Sequence, residues 1–318
     1  MHVGSRVHRT VAFVGLRDVK SPGHIDCHGT AFFVAHEQHY YLLTSRHVVE
    51  PLEGSQLTVR VNGKEVGAGL LHVDDVWQYH PDPLVDLAAI PFLISGNFFD
   101  VEYIRSEDFL TEEKIREQQI DVGDFCYTVG LFKFVYGTKN SFPLVHTGHI
   151  CLMPPKGEKI PITNKLSGKL NEVETYLIEG GAMDGASGSP VFARASYRVR
   201  QIKGAGGEEP ILADGRVQLL GMFAGNYMLP PDDTTAKAHG ISKSTTTPLG
   251  IGLVVPAYKI LELLNVEKFK GPREEAKKNR AAQQASRDAP KQPKENDGNP
   301  NHKEDFTALL GAAARKQK

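Results

Sequence analysis

The chain has only three cysteines in 318 residues, Cys27, Cys126 and Cys151. An odd, widely scattered set excludes a disulfide framework and fits a reducing compartment, so a cytoplasmic location is expected. Net charge is also lacking, with 37 Lys and Arg against 38 Asp and Glu. This balance gives no electrostatic case for nucleic acid or an anionic membrane, and points to a protein or small molecule as partner. No apolar run approaches the roughly 18 residues of a membrane span. The longest, such as LAAIPFLI from Leu87, have the length of buried strands, so a soluble chain is expected. The opening MHVGSRVHRTVAFVGL has an apolar piece, Val11 to Leu16, too short for the roughly 7–15 residues of a signal-peptide core, and export is not expected. There is no internal repeat and no glycine-rich phosphate loop, and nothing calls for a cofactor.

What is present is a succession of short β-branched and aromatic runs separated by turn residues. TVAFVGL from Thr10, GTAFFVA from Gly29, YYLLTS from Tyr40, LTVRV from Leu57 and LLHV from Leu70 predict antiparallel strands. Asn62-Gly63 suits a two-residue type I′ hairpin between TVRV and KEV. TEEKIREQ from Thr111 has helical composition with acids in its first turn, and is read as a connection between two β units. Strands resume at DFCYTVGL from Asp124, LVHTGHICL from Leu144, TYLIEG from Thr175, SPVFARA from Ser189, VQLLGMFAG from Val217 and GIGLVVP from Gly250. AYKILELL from Ala257 spaces its apolar residues as one face of a short helix.

From Gly271 the composition turns to charge, Gln, Asn and Pro with few large apolar residues, which predicts a disordered tail. Its eleven Lys and Arg against seven Asp and Glu suit a solvated linker better than a nucleic-acid arm. DFTALLGAAARK near the end could fold as a helix on a partner.

The stretch DGASGSPVF from Asp184 places serines on a sharply bent backbone that runs into apolar residues. A surface turn would explain it, and so would a nucleophile, which further requires a positioned base and a group to orient that base. YLLTSRHVVE supplies His47 at the end of a strand, and HPDPLVDLAAIPF supplies Asp86 immediately before one. HIDCH, with His24, Cys27 and His28, lacks companion ligands at tetrahedral-site spacing and reads as a loop. His146 and His149 alternate as sheet-surface residues, so no metal is expected.

In the order His, Asp, Ser, these residues resemble the trypsin-like serine peptidases of the chymotrypsin clan. LTSRHVV is similar to that family's LTAAHV, DLAAI to DLALL, and GASGSPVF to GDSGGPL. Smaller echoes resemble the bacterial HtrA-type and stand-alone branches: GDFCYTVGLF, HTGHI and GIGLVVPAYKI, with no PDZ domain following. The resemblance implies an all-β fold of two antiparallel β-barrels with few short helices and a disordered C-terminal tail. The expected division is an N-terminal barrel over 1–110, a connection over 111–121, a second barrel over 122–266, and a tail over 267–318 that could dock a partner.

The implied activity is endopeptidase hydrolysis of a protein or peptide through an acyl-enzyme, with Ser187 as nucleophile, His47 as general base and acid, and Asp86 orienting the imidazole. The N–H groups of Gly185 and Ser187 would form the oxyanion hole, each such donor stabilising the transition state by about 3 kcal/mol. Ser189, directly before Pro190, is expected to start a strand away from the bend. The first specificity pocket would be walled by Gly181, Ala182, Met183 and Asp184 and by Phe223, Ala224 and Gly225. Gly181 occupies the pocket-base position that carries an acid in trypsin itself, so a small to medium apolar residue is expected there rather than Lys or Arg. Phe223 to Gly225 would also pair with substrate backbone as an added strand. The family's usual Asp or Asn after the first glycine is Ala186 here, which removes that side chain's hold on the loop. The alternative function is an inactive trypsin-like domain serving as a peptide-binding or scaffold module.

Overall fold

A computed structural model of the chain describes residues 5–18, 24–65, 67–74, 76–132, 137, 139–163, 170–180, 185–194, 198–204, 207–213, 217–228, 248–288, 303–304 and 307. Its N-terminal half holds β1 (Val11–Arg17), β2 (Ile25–His36), β3 (His39–Thr44), β4 (Leu57–Asn62), β5 (Ala68–His72), β6 (Gln78–Tyr79), β7 (Ala88–Pro91) and β8 (Ile104–Arg105). They form one sheet in the order β5-β4-β1-β2-β3-β7-β6, with β8 added parallel to β2. The C-terminal half holds β9 (Phe125–Gly130), β10 (Leu144–Leu152), β11 (Ile160–Thr163), β12 (Leu170–Val173), β13 (Tyr176–Glu179), β14 (Ser189–Arg194), β15 (Arg198–Gly204), β16 (Gly207–Ala213), β17 (Gln218–Met228) and β18 (Pro248–Pro256). Six of these close a barrel in the order β10-β13-β18-β17-β14-β9, and β11-β12 and β15-β16 are separate antiparallel pairs.

The alternation of side chains along a strand explains why so many of these segments are apolar throughout. In β1, Ala12 and Val14 face the core of the N-terminal sheet, while Val11 and Phe13 face a second apolar layer. β2 divides in the same way, Ala31 and Phe33 facing the sheet core and Phe32 and Val34 the second layer. In the barrel, Val191 and Ala193 of β14 point into the barrel core, and Phe192 points into that same second layer. The layer is therefore shared: Tyr41, Leu43 and Leu87 meet Tyr127, Leu219, Met222 and Val255 there. Each buried Leu, Phe or Met contributes about 1.5–3 kcal/mol. The two halves thus share a core, and residues 1–270 form one compact unit.

The connecting helix runs Glu112–Gln118, its Thr111 side chain capping the backbone N–H of Lys114. The helix Ala257–Leu264 buries Ile260, Leu263 and Leu264 in the shared layer, as its spacing predicts. Two expectations need correction. β4 does turn back, but Asn62 pairs with Ala68, so the loop is longer than the two residues expected at Asn62-Gly63. KEV offers one apolar residue, whereas the longer loop lets Leu71 of β5 sit opposite Val59 and pack on the sheet core. Disorder was expected from Gly271, yet a helix spans Glu267–Asp288. The composition rule counts large apolar residues, whereas this segment is rich in Ala, Glu, Lys, Arg and Gln, which favour helix one residue at a time. Residues 271–318 form a second unit, and most of DFTALLGAAARK lies outside the described residues.

Candidate active site

The antiparallel pairing of β3 with β7 sets the first half of the site. Thr44 lies opposite Ala88. Just past that pair both strands end, β3 into a short helix and β7 into the loop before it, and there the side chains of His47 and Asp86 meet. His47 sits on the short helix Arg46–Val49, whose Val48 and Val49 are buried in the sheet core. Asp86 ends a loop that is closed on itself: Asp82 N donates to His80 Nδ1 (3.1 Å), Leu84 N to Asp82 Oδ1 (2.9 Å) and Val85 N to Asp82 O (3.1 Å). Val85 and Leu87 on either side of Asp86 are buried. Asp86 grips its partner twice, accepting from His47 N at Oδ1 (2.9 Å) and pairing with His47 Nδ1 at Oδ2 (2.6 Å). One carboxylate thus fixes both the backbone and the ring, and the ring remains 45% exposed.

The serine bend is placed by the other half and then clasped by the first. Gly185 and Gly188 both have left-handed φ, +94° and +86°, which favours glycine at each. Ser189 N donates to Ala186 O (2.9 Å) and Gly188 N to Phe223 O (2.8 Å), tying the bend to β14 and β17. From β2, Thr30 N donates to Ser187 O (2.9 Å) and Thr30 Oγ1 to Gly185 O (2.7 Å). A Cβ on Gly188 would meet Thr44 Oγ1 at 2.4 Å and Ser45 N at 3.1 Å, so the bend rests on the residues that lead into His47. Among the described residues, no hydrogen bond joins His47 Nε2 to Ser187 Oγ. Ser189 is fully buried at the start of β14, and Ala186 is buried in the barrel core.

Nearby charge is arranged around the histidine helix. Arg46 pairs with Glu50 and lies over the ring of Tyr79, 4.8 Å from its centroid. The hydrogen bond that Arg46 donates to the Glu50 carboxylate raises the Arg46 pKa. Across the loop, burial lowers the pKa of His80, whose Nε2 stands 3.4 Å from Glu262 Oε2.

Of the residues expected to bind substrate, Gly181, Ala182, Met183 and Asp184 lie outside the described residues. Phe223 is largely buried, and its carbonyl is already taken by Gly188 N, so it does not offer the open backbone pairing expected of it. The β14 partnership of β17 ends at Ser189–Phe223, and Ala224 to Met228 run beyond it. Among the described residues, no group of three or more His, Cys, Asp or Glu could hold a metal ion. His149 instead pairs with Glu179 (2.8 Å) at the barrel surface. Sequence reasoning missed Thr30, because a threonine in a strand is ordinary and nothing in GTAFF marks it as the residue that grips the bend.

No curated protein matches the chain. Among solved structures, the crystal structure of the MamO protease domain from Magnetospirillum magneticum (apo form) is similar. Its identity is 16%, the match covers 82% of this chain and 99% of that one, and the TM-score is 0.47. The trypsin-like peptidase domain matches residues 29–199, more than half of the sequence, and the chain belongs to that family.

Proposed function

We propose that the chain is a serine endopeptidase in which Ser187 attacks the scissile carbonyl, His47 accepts its proton and returns it to the leaving amine, and Asp86 orients the imidazole. Water then repeats the sequence in reverse on the acyl-enzyme and frees Ser187. The observation that carries this reading is the double grip of Asp86 on His47. It sets the Nδ1–H tautomer, leaving Nε2 as the basic nitrogen, beside the serine bend packed on Thr44 and Ser45. Apo sites often hold the base and nucleophile apart until substrate tightens them. The N–H groups of Gly185 and Ser187 would receive the oxyanion. Ala224 and Gly225, past the end of β14, would receive substrate backbone, with Gly181 to Asp184 completing the pocket for an apolar side chain.

The substrate is a protein or peptide, with neither nucleic acid nor membrane as partner, and the three cysteines, all thiols, fit a cytoplasmic setting. The segment after Gly271 would recruit a partner. A second reading, a peptide-binding module without turnover, is favoured by one observation, the lack of a bond between His47 and Ser187. A serine-reactive fluorophosphonate separates the two. The wild type should be labelled and Ser187→Ala should not. Labelling that survives in S187A would exclude Ser187 as the nucleophile, and an unlabelled wild type would leave the binding module.

A further inference from the structure

Three successive carbonyls of the serine bend are each held. Gly185 O accepts from Thr30 Oγ1 (2.7 Å), Ala186 O from Ser189 N (2.9 Å) and Ser187 O from Thr30 N (2.9 Å). A peptide unit is planar, so holding a carbonyl also aims the N–H on its other side. The Ala186 carbonyl shares its plane with the Ser187 N–H. The two carbonyls held by Thr30, Gly185 O and Ser187 O, share their planes with the Ala186 and Gly188 N–H groups. These grips fix the peptide units on either side of the Ser187 N–H plane and the turn that follows the Gly185 N–H. Two of the three grips come from one residue on the opposite half of the molecule.

The Thr30 hydroxyl has one proton to give. Leu131 N, at the end of β9, donates to its oxygen at 3.0 Å, so the proton is directed to Gly185 O. Thr30 is fully buried, and its own carbonyl accepts from Thr44 Oγ1 at 2.7 Å, which ties it to the strand leading into His47. Ala186 cannot do this work, since its methyl group lies in the barrel core.

Resting on the peptidase reading above, we propose that Thr30 is a positioning residue that holds Gly185 and Ser187 in the shape that presents both of their N–H groups to the oxyanion. It touches no reacting atom. Its hydroxyl acts by fixing the loop that does, and it links that loop to the Thr44–His47 segment so that base and oxyanion donors are set by one residue.

The test compares Thr30→Val with Thr30→Ser. The valine variant keeps the shape and removes the proton from Gly185 O. Misplacement of a reacting group by about 1 Å costs on the order of 100-fold, and kcat on a peptide substrate is expected to fall about 10–100-fold with KM changed less than about threefold. Fluorophosphonate labelling should slow in the same ratio, while T30S recovers most of both. A merely structural role would lower the melting temperature and the amount of active protein, leaving kcat per labelled site unchanged. If T30V is unfolded at the assay temperature, Thr30→Ala provides the same comparison, and equal kcat in T30A and T30S overturns the proposal. Wild-type kcat in folded T30V overturns it as well, while the peptidase reading stands. An unlabelled, inactive wild type instead overturns the peptidase reading and this inference with it.

Discussion

Replacing Gly188 by alanine isolates the packing of the serine bend. A Cβ at this position would lie 2.0 Å from Thr30 O, 2.4 Å from Thr44 Oγ1 and 3.1 Å from Ser45 N. Two of these atoms are backbone, and the third is already bonded to Thr30 O at 2.7 Å, so none can swing aside as a long side chain would. The left-handed φ of +86° costs an alanine about 1–2 kcal/mol, and overpacking adds about 1–3 kcal/mol. The combined loss of about 2–5 kcal/mol is a large share of the roughly 5–15 kcal/mol that stabilises a domain. At about 2–4 °C per kcal/mol, the melting temperature should fall by roughly 5–20 °C. Gly123→Ala is the control, because φ there is +89° and nothing lies within 4 Å of the added carbon. It should lose only the conformational part, about 1–2 kcal/mol. Thermal melts followed by circular dichroism would compare the two variants, with fluorophosphonate labelling measured below the transition. Equal melting temperatures for G188A and G123A, or wild-type labelling by folded G188A, would refute the packing argument.

Asp86→Asn leaves the site's volume intact but presents a donor where two N–H groups now find acceptors, so the imidazole tautomer is no longer set. A fall in kcat on the order of 10⁴-fold is expected, with little change in melting temperature. Glu174 titrates against folding. Its burial would raise the pKa, but hydrogen bonds from Lys259, Tyr258 and Gly157 N outweigh this and lower it to about 2. An unfolded glutamate titrates near 4.3. The resulting stability is therefore complete above about pH 5 and lost as pH falls toward 2. Urea unfolding between pH 5 and 2 should show this slope in the wild type and a shallower one in Glu174→Gln. Arg60, 2% exposed, donates to Ser141 Oγ (2.9 Å) and Gly137 O (3.0 Å), stitching β4 to the loop after β9. Arg60→Ala should cost about 2–4 kcal/mol and Ser141→Ala about 1–2 kcal/mol in chemical denaturation.

The strands written most plainly in the sequence are those whose two faces are both buried, while the part-exposed β5 and β10 show through β-branched, leucine and histidine alternation alone. β1, β3, β14 and β17 each place alternate residues in two apolar layers, which writes a nearly continuous apolar run. β11 and β12 pair outside the barrel, and Leu170 and Glu172 of β12 are exposed, so no core imposes a pattern on them and none was read. The Asn62-Gly63 turn was misjudged because turn chemistry is local, whereas the register answers to where Leu71 can be buried. His47, Asp86 and Ser187 could be singled out because each stands at the end of an apolar strand. Thr30 could not, since its importance comes from carbonyls on a segment some 155 positions away in sequence.

The division between fixed and adjustable parts of the site follows from the same layers. His47 and Asp86 are bound to strands whose inward residues are split between the sheet core and the shared layer. Moving either side chain would disturb packing on two sides at once. Ser187 is held through Thr30 and Phe223, each anchored in the half it comes from. By contrast, Ala224 to Asn226 extend past Ser189, the first residue of β14, and among the described residues keep only β18 as a strand partner. Ala224 still packs on the shared layer, whereas Asn226 belongs to neither core, so under the peptidase reading a substitution at Asn226 would alter contacts to a bound peptide while the geometry of His47, Asp86 and Ser187 is kept. Replacing Asn226 should accordingly redistribute kcat/KM among peptides and leave the rate of fluorophosphonate labelling near that of the wild type.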